Sequence, residues 1–245
     1  MLFYEGLEEH GVELVRGTPR ELQDMFVKRR IDAGLLPLGG LLSLDAARYR
    51  ALDLGIASAD HALSVNLYTH QPLERLGIGS HIAVTEHSLS SVKLLQVLLA
   101  RHWRIESIEL VRRDEGHDAV LLIGDEALAM SASHRFEHQY DMGHEWHRFT
   151  DLPFLFARWV VDSSVDEGVA RRFGEVLESN LESGMERLDE IVRRHPRTYM
   201  SAVEMAAYIR NFTYKLGVEE LNAMNLFEKY IAELGLDRPR RGKRR

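Results

Sequence analysis

The 245-residue sequence contains no cysteine, six prolines and three tryptophans. The missing thiols exclude disulfides, thiolate metal sites and a cysteine nucleophile. Long apolar runs are also absent. The best, Ala119–Ile123, ends at Gly124-Asp125, far short of the roughly 20 residues that span a bilayer. Basic charge is scarce outside one end: Arg238 to Arg245 holds six of the 31 basic residues and no acid, which leaves residues 1–237 at 25 − 38 = −13. A body that acidic lacks the surface that neutralises phosphates, so nucleic acid is excluded as a partner. Residues 237–245 read as a disordered basic tail. Met1 to His10 lack the basic start and apolar stretch of a signal peptide, so a cytoplasmic protein without a membrane partner is expected.

What is present is an ordinary globular balance, 45% hydrophobic and 28% charged, enough for one large domain or two small lobes. Val12-Glu-Leu-Val-Arg16 alternates like a half-buried strand. Thr18-Pro19-Arg20-Glu21 then sets a cap, a first-turn proline and an acid three residues after the cap, so a helix is expected to begin there. Further strands are expected at Ile31–Leu36, Leu52–Ala57, Ser64–Tyr68, Ile82–Thr85, Ile108–Val111, Ala119–Ile123 and Phe154–Val161, with an apolar helix over Val92–Leu99. Strands and helices alternate for about 130 residues, which argues for an α/β fold with parallel sheets. Beyond Val161 the pattern is helical: Asp166–Arg194 with a break near Gly184, a capping box at Ser201-Ala-Val-Glu204, and a striped last helix through Leu234.

The candidate chemistry lies at strand ends. Thr85, Ser88, Ser90 and Ser91 sit between a strand and a helix, where free N–H groups and hydroxyls could hold a carboxylate or merely cap the helix. Gly124 and Asp125 close a strand ahead of a helix, at the edge where α/β proteins bind ligands; Asp125 reads equally as a cap. Ser64 and Asn66 share one side of a strand. Arg158, among aromatics, needs an anion, from either the protein or a ligand. His134, His138, His144 and His147 cluster in sequence, but His144-Glu-Trp-His147 lacks the metalloprotease spacing. They are read as surface imidazoles, and no metal is expected. Leu38-Gly39-Gly40-Leu41 matches neither the dinucleotide fingerprint nor the phosphate loop and reads as a turn. No Gly-x-Ser-x-Gly elbow occurs.

Several of these segments, in order and at matching spacing, resemble the chorismate dehydratase family of the futalosine route to menaquinone. They are Arg30-Ile-Asp-Ala-Gly34, Leu63-Ser-Val65, Ser88-x-x-Ser-Val-x-Leu-Leu95, Leu122-Ile-Gly-Asp-Glu-Ala-Leu128, Asp141-Met-Gly-His-Glu-Trp146, and Leu152-Pro-Phe-x-Phe-Ala-x-Trp159. The resemblance implies a two-lobed fold like type II periplasmic binding proteins, with parallel-sheet lobes and a helical C-terminal segment. Residues 1–67 with 152–236 would form one lobe and 68–151 the other. It implies a lyase that removes water from chorismate without a cofactor, binding a dicarboxylate of that kind. Ser64 corresponds to the family's catalytic serine, with Thr85, Ser88 and Ser91 on a carboxylate-binding turn and Gly124 and Asp125 on the opposite wall.

Two departures stand out. The family places Gly-Pro before the serine segment where this chain has Asp60-His61, and His61 is read as a surface substitution. The family also opens with a strand ending in Asn-x-x-Pro, whose asparagine is catalytic. In the alignment of Leu2–Leu7 these would precede Met1, so a start further upstream is expected, because a sheet without a central strand leaves buried backbone groups unpaired. The residues leave two rivals open: a non-catalytic carboxylate-binding module of this fold, and the 1,4-dihydroxy-6-naphthoate synthase of the same pathway.

Overall fold

The computed structural model describes residues 2–4, 6–85 and 89–237; the basic tail from Arg238 lies outside them. In chain order the elements are α1 (Pro19–Val27), β1 (Ala33–Pro37), α2 (Leu38–Leu41), β2 (Tyr49–Ser58), β3 (Val65–Thr69), β4 (His81–Ala83), α3 (Leu89–Val97), β5 (Glu109–Val111), β6 (Ala119–Ile123), α4 (Gly124–Ser133), β7 (His138–Asp141), α5 (Met142–Thr150), β8 (Phe154–Asp162), α6 (Glu167–Glu186), α7 (Leu188–Arg194), α8 (Ala202–Arg210), β9 (Phe212–Lys215) and α9 (Val218–Glu233).

The strands form two sheets, in the orders β1-β8-β2-β9 and β5-β4-β6-β3-β7. The two-lobed α/β architecture is as expected, but strand direction is not. Every pair in the first sheet is antiparallel, and in the second only β4 runs parallel to its neighbours β5 and β6, while β3 opposes both β6 and β7. The error has a clear cause. Burial of Ala119–Ile123 on both faces reports that a strand is central, not which way its neighbours run. In the first sheet the centre is held by β8, which returns from late in the chain and pairs with β1 on one side and β2 on the other.

The chain crosses from the first sheet to the second between Ser58 and Val65, and back between Thr150 and Phe154. All of β3 thus lies in the second sheet, rather than being divided at residue 67. Leu2, Phe3 and Leu7 pack with Trp159 of β8 and with Leu177, Leu181 and Leu188 under α6 and α7. On the other face Phe26 of α1 meets Leu36, Leu41 and Val160. The largest core is shared between lobes: Leu94, Leu98, Leu121 and Trp146 of the second pack with Phe154, Phe227 and Ile231. Consequently α9, grouped with lobe 1 from the sequence, sits against α3, α5 and β8.

Local signals performed unevenly. The capping boxes at Thr18/Glu21 and Ser201/Glu204 are both formed. Val12–Arg16 is extended, with Val12 and Leu14 facing the core, yet it is not a strand, because alternation describes faces and supplies no pairing partner. The helix over 167–186 runs through Gly184 and breaks at Arg187; the glycine instead admits the backbone of Leu2, which a Cβ would meet at 3.0 Å. Leu38–Leu41 is a short buried helix rather than a turn. A Cβ on Gly39 would lie 2.7 Å from the Leu89 carbonyl oxygen and 2.9 Å from Ser90 Cα, so its glycine lets α2 abut α3. Gly39→Ala is expected to cost about 1–3 kcal/mol, read as a lowered Tm.

Candidate functional site

The site begins with a sharp turn at the first crossing. Leu63 adopts φ +60°, a left-handed conformation that costs a residue with a side chain about 1–2 kcal/mol. One carboxylate holds it there. Asp141 Oδ2 accepts the Leu63 N–H at 2.6 Å, while Oδ1 accepts the Ala62 N–H at 2.9 Å and caps α5 through Gly143 N–H at 2.9 Å and His144 N–H at 3.2 Å. Gly143 must be glycine for the same reason: a Cβ would sit 2.7 Å from both the Asp60 carbonyl oxygen and Ser58 Oγ. The Asp141-Met-Gly-His segment is therefore a clamp that ties the crossing to α5 and aims the next residue, Ser64.

Ser64 is 6% exposed and lines a cavity of ≈ 400 Å³ between the lobes, within the range of about 300–1,000 Å³ common to small-molecule sites. Its backbone carbonyl accepts the Gly124 N–H at 2.7 Å, which brings Gly124 to the same wall. Gly124 needs its residue type for its φ of +61°. From the other lobe, the capping box of α8 fixes the helix that carries Tyr208, whose hydroxyl donates to Ser64 Oγ at 2.8 Å. Burial raises the Tyr208 hydroxyl's pKa above its ordinary value, partly offset by the Ser64 hydrogen bond, so it stays a neutral donor at pH 7. The Ser64 hydroxyl has only a long contact of its own, to the Ala62 carbonyl at 3.4 Å, and its proton can turn to a ligand.

Pro37, Ile56, Ile123, Phe156, Phe212, Tyr4 and Tyr214 complete much of the wall, and among the described residues no charged side chain lines the cavity. A ligand there meets the hydroxyls of Ser64 and Tyr208 in a largely apolar frame, where each hydrogen bond counts for more than in water. A larger and more open depression, ≈ 650 Å³ around Leu73, Trp103 and Glu106, contains none of the predicted residues.

The predicted residues divide. Ser64, Ser90, Ser91 and Gly124 line the cavity. Ser90 is also a rivet between lobes: its Oγ accepts the Gly39 N–H at 3.0 Å and donates to the Phe156 carbonyl at 2.9 Å. Asn66 does not line the cavity. Its side chain donates to the Leu63 carbonyl at 2.6 Å and to the Tyr68 hydroxyl at 3.2 Å, because pairing of β3 with β6 and β7 buries it within the lobe. Arg158 is likewise taken by the protein, through the Leu52 carbonyl at 2.8 Å and Asp53 at 3.0 Å. Asp125 is on the rim, ion-paired with Arg197 at 3.3 Å, and Thr85 is half-buried outside the lining. Ser88 lies outside the described residues. Sequence reasoning missed Tyr208 and the aromatic wall, since residues on α8 and β9 reach Ser64 across more than 140 positions.

A cavity between two α/β lobes, walled by backbone turns and joined by two crossings, defines a protein of the periplasmic-binding-protein fold. Solved structures agree on that fold: a protein from Archaeoglobus fulgidus has a TM-score of 0.75 at 15% identity, covering 96% of this chain and 93% of its own. The periplasmic aliphatic sulphonate binding protein of Escherichia coli has 0.56 at 13%, covering 91% and 81%. The chain belongs to the menaquinone biosynthesis family, whose model matches residues 1–233. Among curated relatives, the chorismate dehydratase of Thermus thermophilus is 26% identical over 94% of this chain and 89% of its own length. Among the described residues no helix is long and apolar enough to cross a membrane.

Proposed function

We propose that this protein is a lyase that removes water from chorismate, giving 3-[(1-carboxyvinyl)oxy]benzoate for menaquinone synthesis, in the cytoplasm. The observation that carries the reading is the Tyr208–Ser64 hydrogen bond inside the interlobe cavity, on the serine that matches the family's catalytic one. The C3 proton and the C4 hydroxyl leave together as water, and the ring becomes aromatic, so the driving force is in the substrate. What remains for the protein is to hold the ring in one orientation and donate to the departing oxygen. In this reading Ser64 makes the donation: Tyr208 donates to its Oγ at 2.8 Å, so the serine proton, held only by the 3.4 Å contact to the Ala62 carbonyl, can turn to the substrate. Ser90 and Ser91, near the start of α3, line the same space, and a helix N-terminus there would suit a carboxylate.

Incubation with chorismate should yield the dehydrated product by mass spectrometry. Chorismate that binds and is recovered unchanged would instead mark a binding module. Tyr208 acts as a positioning residue, so Tyr208→Phe is expected to lower kcat about tenfold, equivalent to about 1.4 kcal/mol, with KM within about twofold. A rise in KM at constant kcat would show that the tyrosine merely shapes the cavity.

A further inference from the structure

The departure at Asp60-His61 becomes a site once the chain folds. Asp60 and His61 lie on the first crossing, and the Asp141 clamp holds that segment against the start of α5, where His144 projects beside them. His144 Nδ1 lies 2.5 Å from Asp60 Oδ1, His61 Nε2 lies 3.8 Å from Asp60 Oδ2, and one ligand atom from each residue falls within 4.8 Å of the others. We propose that Asp60, His61 and His144 bind a divalent transition-metal ion of the zinc class.

The donor set is two imidazoles and one carboxylate, a combination suited to zinc, cobalt or nickel and not to magnesium or calcium. An ion held at about 2.0–2.2 Å from each ligand needs ligand atoms about 3.3–3.6 Å apart. The Asp60–His144 contact must therefore open, the proton between them giving way to the metal, and the His61 contact must close slightly. Both movements are open to side chains that are one-third to one-half exposed. The two imidazole rings are stacked at 4.2 Å with planes 4° apart. To share the ion, His61 must swing out of this stack.

Asp60 is the anionic ligand. Asp141 Oδ2, 3.8 Å from His61 Nδ1, supplies a carboxylate behind the ligand, an arrangement that orients metal-bound histidines. The excess of acids over residues 1–237, 25 − 38 = −13, favours cation entry. The four histidines close in sequence are not the group that forms the site; only His144 joins it, with partners some 84 positions away.

The test uses tag-free full-length protein, without substrate, titrated with Co²⁺ by visible absorption and with Zn²⁺ by calorimetry. One equivalent is expected, with a raised Tm. His61→Ala and His144→Ala should each weaken binding about tenfold or more, while a His134→Ala/His138→Ala variant binds as wild type. If either alanine variant fails to fold, Asp60→Asn, which preserves shape, is read in its place and should show the same loss. Absence of binding at micromolar metal, or variants that bind like wild type, would overturn the assignment. The readout contains no chorismate, so it stands or falls independently of the proposed reaction.

Discussion

Ser64→Ala is expected to lower the turnover of chorismate by about 10²–10³-fold, the usual loss when one donor aimed at a developing negative charge is removed. The fold should survive, because the change deletes one hydroxyl whose net hydrogen-bond contribution is about 1 kcal/mol. The 2.8 Å bond from Tyr208 is lost with it, leaving a half-buried phenol without its acceptor, so a small fall in Tm accompanies the kinetic loss. The decisive comparison is between turnover and substrate binding: calorimetry should still detect chorismate, since the frame of Ile56, Ile123, Phe156 and Phe212 is unchanged. A variant that turns over at the wild-type rate would remove Ser64 from the chemistry and leave the cavity as a binding site.

The second large effect is on stability. Asp141 is 9% exposed and accepts four backbone N–H groups, two on the crossing and two at the start of α5. Asp141→Ala would strand these donors and release Leu63 from its left-handed conformation. A loss of about 3 kcal/mol is expected, a fall in Tm of about 6–12 °C for a chain of this size. Asp141→Asn keeps one acceptor but turns an amide N–H₂ toward N–H donors, and should fall between the two. Melting by circular dichroism checks both; an alanine variant within about 2 °C of wild type would show that water satisfies the crossing without the carboxylate. Because the same clamp aims Ser64, the asparagine variant should also lose activity beyond what its Tm explains.

The stability loss and the kinetic loss thus have a common origin in the segment from Ser58 to Val65. It is the only stretch on the outward crossing, it carries Asp60 and His61, and it ends on Ser64. A metal bound by Asp60, His61 and His144 would fasten the same segment to α5 beside the Asp141 clamp.

Of the residues that line the cavity, Ser64, Ser90, Ser91 and Gly124 were legible from residue type and position along the chain. Serines at the start of an apolar helix, a glycine where a strand meets a helix, and a serine at a strand's start all fell on the cavity. What misled was polarity without direction. Asn66 shares a side with Ser64 by strand period, yet it lies within the β6-β3-β7 interior, where its amide closes a local network with Leu63 and Tyr68. Arg158 needed an anion and found Asp53, a residue on the neighbouring strand β2. In neither case does spacing along the chain reveal which strand will lie alongside.

By itself, the sequence determined most of the strands and helices up to Val161, though not β7, and beyond it the helices though not the strand β9; it also determined the helix starts at Thr18 and Ser201, the lack of thiols and of long apolar runs, and the family pattern around Ser64 and Gly124. These depend on local periodicity, capping and composition, which a chain carries before it folds. Tertiary structure alone decided strand direction, the placing of β8 at the centre of its sheet, the contact of Tyr208 with Ser64, and the meeting of Asp60 and His61 with His144. Each joins residues far apart in sequence, and such contacts are set by which surfaces bury together, not by the local order of residues.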